Sequence, residues 1–503
     1  MRAMKNDYTS SVIRMLVAAI GFCGLAFAQS NTTFYVATNG NDSNAGTIGA
    51  PWKTIQHAAN SVQAGATVDV RAGTYNESVN IPVSGNATAG YVTFQGYPGE
   101  TAIVDGTGLS CCGGSTKALF NITNQSYVIV SSFEIRNYST SAAASTPAGI
   151  FVTGGGSNIQ LLNNKVHDIA SKAENNGNAF GIAVYGTSST PISNIVISGN
   201  QVYNCKTGNS ETVNVDGNVN GFTISNNIVH DDDNIGIDAI GFEGVGPSGS
   251  DQARNGTISG NTIYNITSYG NPAYGNQYAA DGIYCDGCTN VVIERNLVRT
   301  TDLNIEVASE HKNKTSSYVT VRNNLVYNAN SCGISIGGYA SGVGGSDHIT
   351  IVGNTLFNND TKKTGSGEFQ IQYHATNNIF ENNIVSAGPQ GLMVNNFTKS
   401  VTNPVTSDYN VFYASTPANA TWIWYAKTYA TWAKYLSASG QDAHSFYANP
   451  LFVNTATPDL HVQASSPAVN SGTNLGVSVV GTKDFAGNPR VQGTNIDIGA
   501  YEQ

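Results

Sequence analysis

A parallel β-helix, an all-β solenoid whose coils each add three short strands, is the fold this sequence predicts. Three observations carry that expectation. The pattern apolar-x-x-Asn-x-Val/Ile recurs as LLNNKV, ISGNQV, ISNNIV, ISGNTI, IERNLV, VRNNLV, VGNTLF and ENNIV. Its Asn residues are Asn164, Asn200, Asn227, Asn261, Asn296, Asn324, Asn354 and Asn383, spaced 27 to 36 residues apart. Strands of constant length joined by loops of differing length produce such a loose period. Stretches such as ATVDVRAGTYNESVNI and YVTFQGYPGE also alternate apolar and polar residues between Gly-containing turns, as half-buried strands do. Finally, there is no WD-type or LxxLxL repeat, and α-solenoid patterning is missing. Asn suits a fixed turn position because it tolerates the left-handed backbone region. Its amide also bonds to the equivalent Asn one rung away.

Taken in order, residues 1–28 read as an export signal. Arg2, Lys5 and Arg14 precede an apolar run from Met15 to Phe27, and Ala26-Phe27-Ala28 offers a cleavage site near Ala28. The run is too short for a membrane span, so a secreted or periplasmic protein without membrane attachment is expected. The chain's net charge is -10. The signal carries three bases and one acid, so its removal leaves -12. That balance excludes nucleic acid as a partner, since binding it requires basic surface. A chain of this length escapes the usual limit on core size because each repeat buries its face on the next, and a monomer is expected.

Six cysteines follow the signal: Cys111, Cys112, Cys205, Cys285, Cys288 and Cys332. In an exported chain they predict disulfides. Cys285 and Cys288 are spaced to close a small turn, while Cys111 and Cys112 pair with each other or elsewhere.

Residues 29–64 hold a strand, FYVATNGN, and an amphipathic helix with Ile55, Ala58, Ala59 and Val62 on one face. A helix placed there covers the open edge of a stacked sheet. Residues 65–414 form the β-helix. Residues 415–503 break the pattern: WIWYAKTYATWAKYL gathers Trp422, Trp424, Trp432 and Tyr435 as an apolar cap, preferred over a sugar-stacking platform. The tail NPLFVN, DLHV, SPAVNSG and DIGAYE reads as a last layer of strands.

Chemistry concentrates between Asp231 and His311, in a chain with only 11% charged residues. The segments SETVNVDG, NIGIDAIG, DGIYCDG, LNIEVAS, CGISIGG and EFQIQYH align on their first strand. Val213, Ile237, Ile283, Ile305, Ile334 and Phe369 then point inward. Asn214, Asp238, Tyr284, Glu306, Ser335 and Gln370 form one outward row, because side chains alternate along a strand. A second outward row holds Asp216, Ile240, Asp286, Ala308 and Gly337. Rungs about 4.8 Å apart separate Asp238 and Glu306 by roughly 9.6 Å, with Tyr284 between them and Asp286 about 8 Å from either. That spacing suits an acid/base pair flanking a glycosidic bond. Asp238, Glu306 and Asp286 are therefore the candidate catalytic residues. Tyr284, Asp231, Asp233, Glu310 and His311 are the candidate sugar contacts. The same row has two rival uses: Ca²⁺ bound by Asp238, Asp286 and Glu306, or a solvated acidic face.

The opening FYVATNGNDSNAGTIGAPWKTIQHAANSVQAGATVDVRAGTYNESVNI resembles the start of secreted pectin-lyase-like right-handed β-helix proteins, family 9 pectate lyases among them. The ending NPLF…SPAVNSG…DFAGNPR…DIGAYE is similar to the close of bacterial members of that group. The resemblance implies a carbohydrate substrate. It also implies a lyase alternative with an acidic calcium cluster and a lysine base on a later coil. Asp281, Asp302 and Glu306 match the acids in type, but Leu303 stands where another is expected and CGISIGGY offers no Lys or Arg. HDDDNIGID is similar to the two-aspartate motif of β-helix glycosidases of the lacto-N-biosidase type, through Asp231 or Asp233 with Asp238. An acid-rich, base-poor face favours a glycoside hydrolase over a calcium-dependent lyase, and either over a non-catalytic glycan-binding β-helix. Loops 242–256 and 267–280 are placed to select the sugar.

Overall fold

A computed structural model of the chain describes residues 32–174, 177–399, 403–493 and 495–503, so the expected signal at 1–28 lies outside the described residues. The fold is a right-handed parallel β-helix. One sheet of 16 strands starts at Thr33–Val36, and two sheets of 13 strands start at Gly73–Tyr75 and Val79–Ile81. Each coil passes once through all three. Val213, Ile237, Ile283, Ile305 and Ile334 are fully buried and Phe369 nearly so. The predicted inward column is therefore the core, and each such side chain contributes roughly 1.5–3 kcal/mol by burial. No described helix is long and apolar enough to cross a membrane.

The Asn ladder runs from Asn164 to Asn410, through the coils after the first few. Each of the eight predicted Asn residues donates its backbone N–H and its Nδ2 to the Oδ1 of the next, and Asn410 ends the series. One part of the expectation is corrected. The left-handed position is the residue before each ladder Asn: Asn163, Gly199, Asn226, Gly260, Arg295, Asn323, Gly353, Asn382 and Tyr409 all have positive φ. The turn strain falls on the neighbour, which leaves the ladder Asn free to aim its amide along the helix axis.

At the N-terminal end the helix Ile55–Ser61 buries Ile55, Ala58 and Ala59. Thr54 caps it, its Oγ1 accepting from the His57 N–H, and the Glu77 carboxylate accepts from the N–H groups of Ile55 and Gln56. These satisfy three of the donors a helix start leaves open. At the other end, stacking extends past residue 414: Thr421–Trp424 pairs with Leu392–Asn396, and Phe446–Tyr447 pairs with Val411–Ala414. It also begins before residue 65, with Thr33–Val36 paired to Thr67–Val70. Trp422 and Tyr435 are fully buried and stacked 5.7 Å apart, as a cap requires.

The tail keeps only part of the expected last layer of strands, within NPLFVN and DLHV. It forms one short antiparallel pair, Phe452–Asn454 with Asp459–Val462, and runs back along the outside. There Asn323 donates to the carbonyls of Val480 and Lys483. Buried Arg490 pairs with Glu502 and donates to the carbonyls of Asp497 and Gly499. The tail is held by these polar contacts and by apolar packing of Phe452, Leu460, Val462 and Ile498 on Leu325, Ile384 and Val411, instead of by a ladder. Cys111–Cys112 and Cys285–Cys288 are disulfides, while Cys205 and Cys332 are free and buried.

Candidate active site: a buried acidic cleft

The register of the third sheet matches the alignment made from sequence. Asn214 lies opposite Asp238, Asp238 opposite Tyr284, Tyr284 opposite Glu306, Glu306 opposite Ser335, and Ser335 opposite Gln370. The row is not a solvated face, however. Asp238 is 2% exposed, Asp286 4%, Tyr284 4% and Glu306 8%. Loops from neighbouring coils wall it in, leaving a cleft of about 280 Å³. Glu211, Asp216, Asp238, Glu243, Asp286 and Glu310 line it together with Tyr185, Tyr274 and Tyr284, and no Lys or Arg is among the lining residues.

Burial first, and then the charges of neighbouring carboxylates, raise the pKa of Glu211, Asp216, Asp238, Asp286 and Glu310 in this cleft. Burial, then the charges of Glu211, Asp286 and Asp281, hold Asp238 well above the usual carboxylate range. Burial raises Glu211 to about 7, although Asn214 donates to its Oε2 at 2.7 Å and opposes the rise. Asp216 is pushed up to about 8 by burial and by the charges of Glu211 and Glu243. Burial also lifts Asp286, helped by Glu310 and opposed by the Glu310 N–H at 2.8 Å. Oδ1 of both Asp238 and Asp216 is buried with no hydrogen-bond partner. Chemically, the cleft holds protonated acids beside ionisable ones, which is what proton donation to a leaving group needs.

These raised values set a pH dependence. The folded chain keeps Glu211 protonated up to about 7 and Asp216 up to about 8, whereas the unfolded chain ionises them near 4.5 and 3.8. Between those limits the folded state binds more protons, so stability falls as pH rises. The melting temperature should fall between about pH 5 and about pH 8, with Glu211 alone contributing at most on the order of 3 kcal/mol. Glu211→Gln should flatten the slope; an unchanged slope would mean that the dependence arises from other groups.

The other predicted residues are scattered. Glu310 lines the cleft, and Nε2 of His311 lies 2.9 Å from Oε1 of Glu243 at its edge. Glu306 shares the row without lining the cleft: its Oε1 accepts from Ser335 and Gln372, and burial puts it at about 7. Asp231 and Asp233 lie elsewhere, in a separate groove with Asn204, Lys206 and Tyr269. Asp231 pairs with His230 at 2.6 Å, and Asp233 accepts from the Thr207 N–H. Asp231 lies in the strand Ile228–Asp232 of another sheet and Asp233 in the turn that follows it, so closeness in sequence does not bring them to Asp238.

Nor do Asp238, Asp286 and Glu306 converge as metal ligands. The donors that do lie within 4.8 Å of one another, among the described residues, are those of Glu243, Asp286 and His311. The positions of the lyase calcium cluster do not fit that ion either. Leu303 supplies no oxygen, and the Asp302 carboxylate is taken up by Ser268, Ala280 and Asn330. Sequence reasoning missed Glu211, Glu243, Tyr185 and Tyr274. Glu211 had a signal, three residues before the outward Asn214 in SETVNVDG, while Glu243 and Tyr274 were covered only as members of the loops 242–256 and 267–280.

Comparison with known proteins places this geometry in context. Residues 34–224 match the model of the Pel9A-like right-handed β-helix region. The uncharacterized protein YwoF of Bacillus subtilis (strain 168) is 38% identical over 441 residues, covering 87% of this chain and 92% of its own. Pectate lyase PEL9 of Emericella nidulans is 42% identical over 87 residues, 17% of this chain and 21% of that protein. The solved structure of XylC with xylose superposes with a TM-score of 0.52 at 12% identity, covering 93% of this chain and 98% of that one, and shows the shared fold.

Proposed function

This chain belongs to the family of Bacillus subtilis YwoF and is a Pel9A-like right-handed β-helix protein; from that premise we propose that it is a carbohydrate-active enzyme, a glycoside hydrolase working in the acidic cleft. One observation carries the proposal: Asp238 and Glu211 line one cleft as mutually repelling buried acids, with no Lys or Arg in its lining. A pair that resists double ionisation keeps one member protonated near neutrality. Asp238, with its unpartnered Oδ1, donates its proton to the glycosidic oxygen as the bond from that oxygen to the anomeric carbon breaks. Glu211, whose hydrogen bond from Asn214 favours its ionised form, takes a proton from the water that bonds to that carbon. Tyr185, Tyr274 and Tyr284 in the lining supply faces and hydroxyls for the sugar. Elimination at a uronate needs a base and cationic neutralisation of the carboxylate, for which the cleft lining has no Lys or Arg.

The test is incubation of the purified chain with a panel of neutral and acidic plant and bacterial glycans. New reducing ends without absorbance at roughly 235 nm are expected, since that absorbance reports the unsaturated product of base-catalysed elimination. Unsaturated products would identify a lyase, and binding without cleavage a glycan-binding module. On the glycan that is cut, Glu211→Gln should lose about 10²–10⁴-fold in kcat, whereas Glu306→Gln should stay within about tenfold. The reverse order would restore Glu306 as the partner of Asp238.

A further inference from the structure

We propose that Glu243, Asp286 and His311 form a binding site for a divalent transition cation of the Zn²⁺ or Mn²⁺ class at the edge of the cleft. One ligand atom from each lies within 4.8 Å of the other two. Donors about 2.0–2.2 Å from a zinc ion stand roughly 3.4 Å apart in a tetrahedral site, so shifts of about 1.4 Å or less complete the triad, with the 2.9 Å Glu243–His311 contact opening slightly. The arrangement permits those shifts. Asp286 is fixed on its strand, its Oδ1 accepting from the Glu310 N–H. The side chains of Glu243 and His311 are 43% and 31% exposed and sit on surface loops, free to adjust.

A plain His–Glu surface pair is the alternative, and such pairs contribute about 0–1 kcal/mol. Two features of the cleft go beyond such a pair. Asp286 is 4% exposed, with no cation among the residues that line the cleft. Asp238 and Asp216, 2% and 1% exposed, each present an unpartnered Oδ1 in that same cleft. Buried charges are ordinarily paired or coordinate a metal. A cation at the cleft edge supplies positive charge where the chain supplies none, and leaves positions open for water or a sugar hydroxyl. The imidazole decides the class of ion: Ca²⁺ takes oxygen ligands, whereas nitrogen with carboxylates suits zinc and its neighbours. The site does not depend on which reaction the cleft performs.

The test is calorimetric titration of the full chain, dialysed against EDTA, with Zn²⁺, Mn²⁺ and Ca²⁺, with the zinc-dependent rise in melting temperature as a second readout. One saturable Zn²⁺ site in the micromolar range or tighter is expected, with Ca²⁺ at least about 100-fold weaker. His311→Gln and Glu243→Gln, both at exposed side chains, should each weaken Zn²⁺ at least about tenfold and abolish the rise in melting temperature. His461→Gln, which removes a distant surface His–Asp pair, should change neither. Absence of saturable Zn²⁺ binding at millimolar concentration would overturn the proposal. So would binding that survives both cleft variants, or Ca²⁺ bound more tightly than Zn²⁺.

Discussion

Replacing Asp238 by Asn is expected to lower kcat on the cleaved glycan by about 10²–10⁴-fold while the fold survives intact. Asn has nearly the shape of Asp, so the site of a 2% exposed side chain is not emptied. What is lost is the acidic proton. Burial and the charges of Glu211, Asp286 and Asp281 hold Asp238 in its protonated form, and an amide cannot donate in its place. Removing a crowded acid also relieves repulsion, so the melting temperature at about pH 8 should hold or rise. Circular dichroism and thermal unfolding would be measured beside steady-state kinetics. Activity within about tenfold of the parent, in a folded variant, would remove Asp238 from the mechanism and with it the cleft's main claim.

The second large effect is expected far from the chemistry, at Asn296. This side chain is fully buried. Its Oδ1 accepts from the backbone N–H and Nδ2 of Asn261, and its Nδ2 donates to the carbonyl of Ile258 and to Oδ1 of Asn324. Asn296→Ala strips partners from buried groups on both neighbouring coils at once. At about 1–3 kcal/mol for each buried group left unpaired, a loss on the order of 3–6 kcal/mol follows. Because each coil touches only its neighbours, the damage should open the helix locally, giving a new protease-sensitive site near residues 258–324 and a lower urea midpoint. Asn296→Asp keeps the acceptor and loses the donor, and should fall between the two. A loss below about 1 kcal/mol would mean that the ladder follows the fold instead of supporting it.

The two predictions draw on different kinds of information, and the difference shows in particular residues. The Asn ladder and the outward row were both visible in the chain, because parallel in-register stacking turns a sequence repeat into a spatial column. Aligning NIGIDAIG with DGIYCDG and LNIEVAS was enough to set Asp238 beside Tyr284 and Tyr284 beside Glu306. The capping helix was visible through its own period: Ile55, Ala58, Ala59 and Val62 fall on one face, and all four are buried, whereas the Thr54 cap came only with the structure. The ladder's turn chemistry was half visible. The need for a left-handed residue was right, but hydrogen-bond geometry assigns it to the residue before each Asn.

The cleft itself was not visible. Strand register says which way Asp238 points, and says nothing of what covers it. Its cover comes from loops of unequal length, so Glu211, Glu243 and Tyr274 arrive from sites with no common spacing. The same cause misled the grouping of acids. Asp231 and Asp233 are near Asp238 in the chain yet face another groove, while Glu306 shares its row but is held by Ser335 and Gln372. By itself, then, the sequence determined the β-helix, its ladder and the direction of each outward side chain, because those follow from short-range periodicity repeated coil after coil. Only the tertiary structure decided which acids are desolvated together. That depends on how irregular loops fold over the sheet, and desolvation is what raises their pKa and makes a row of carboxylates reactive.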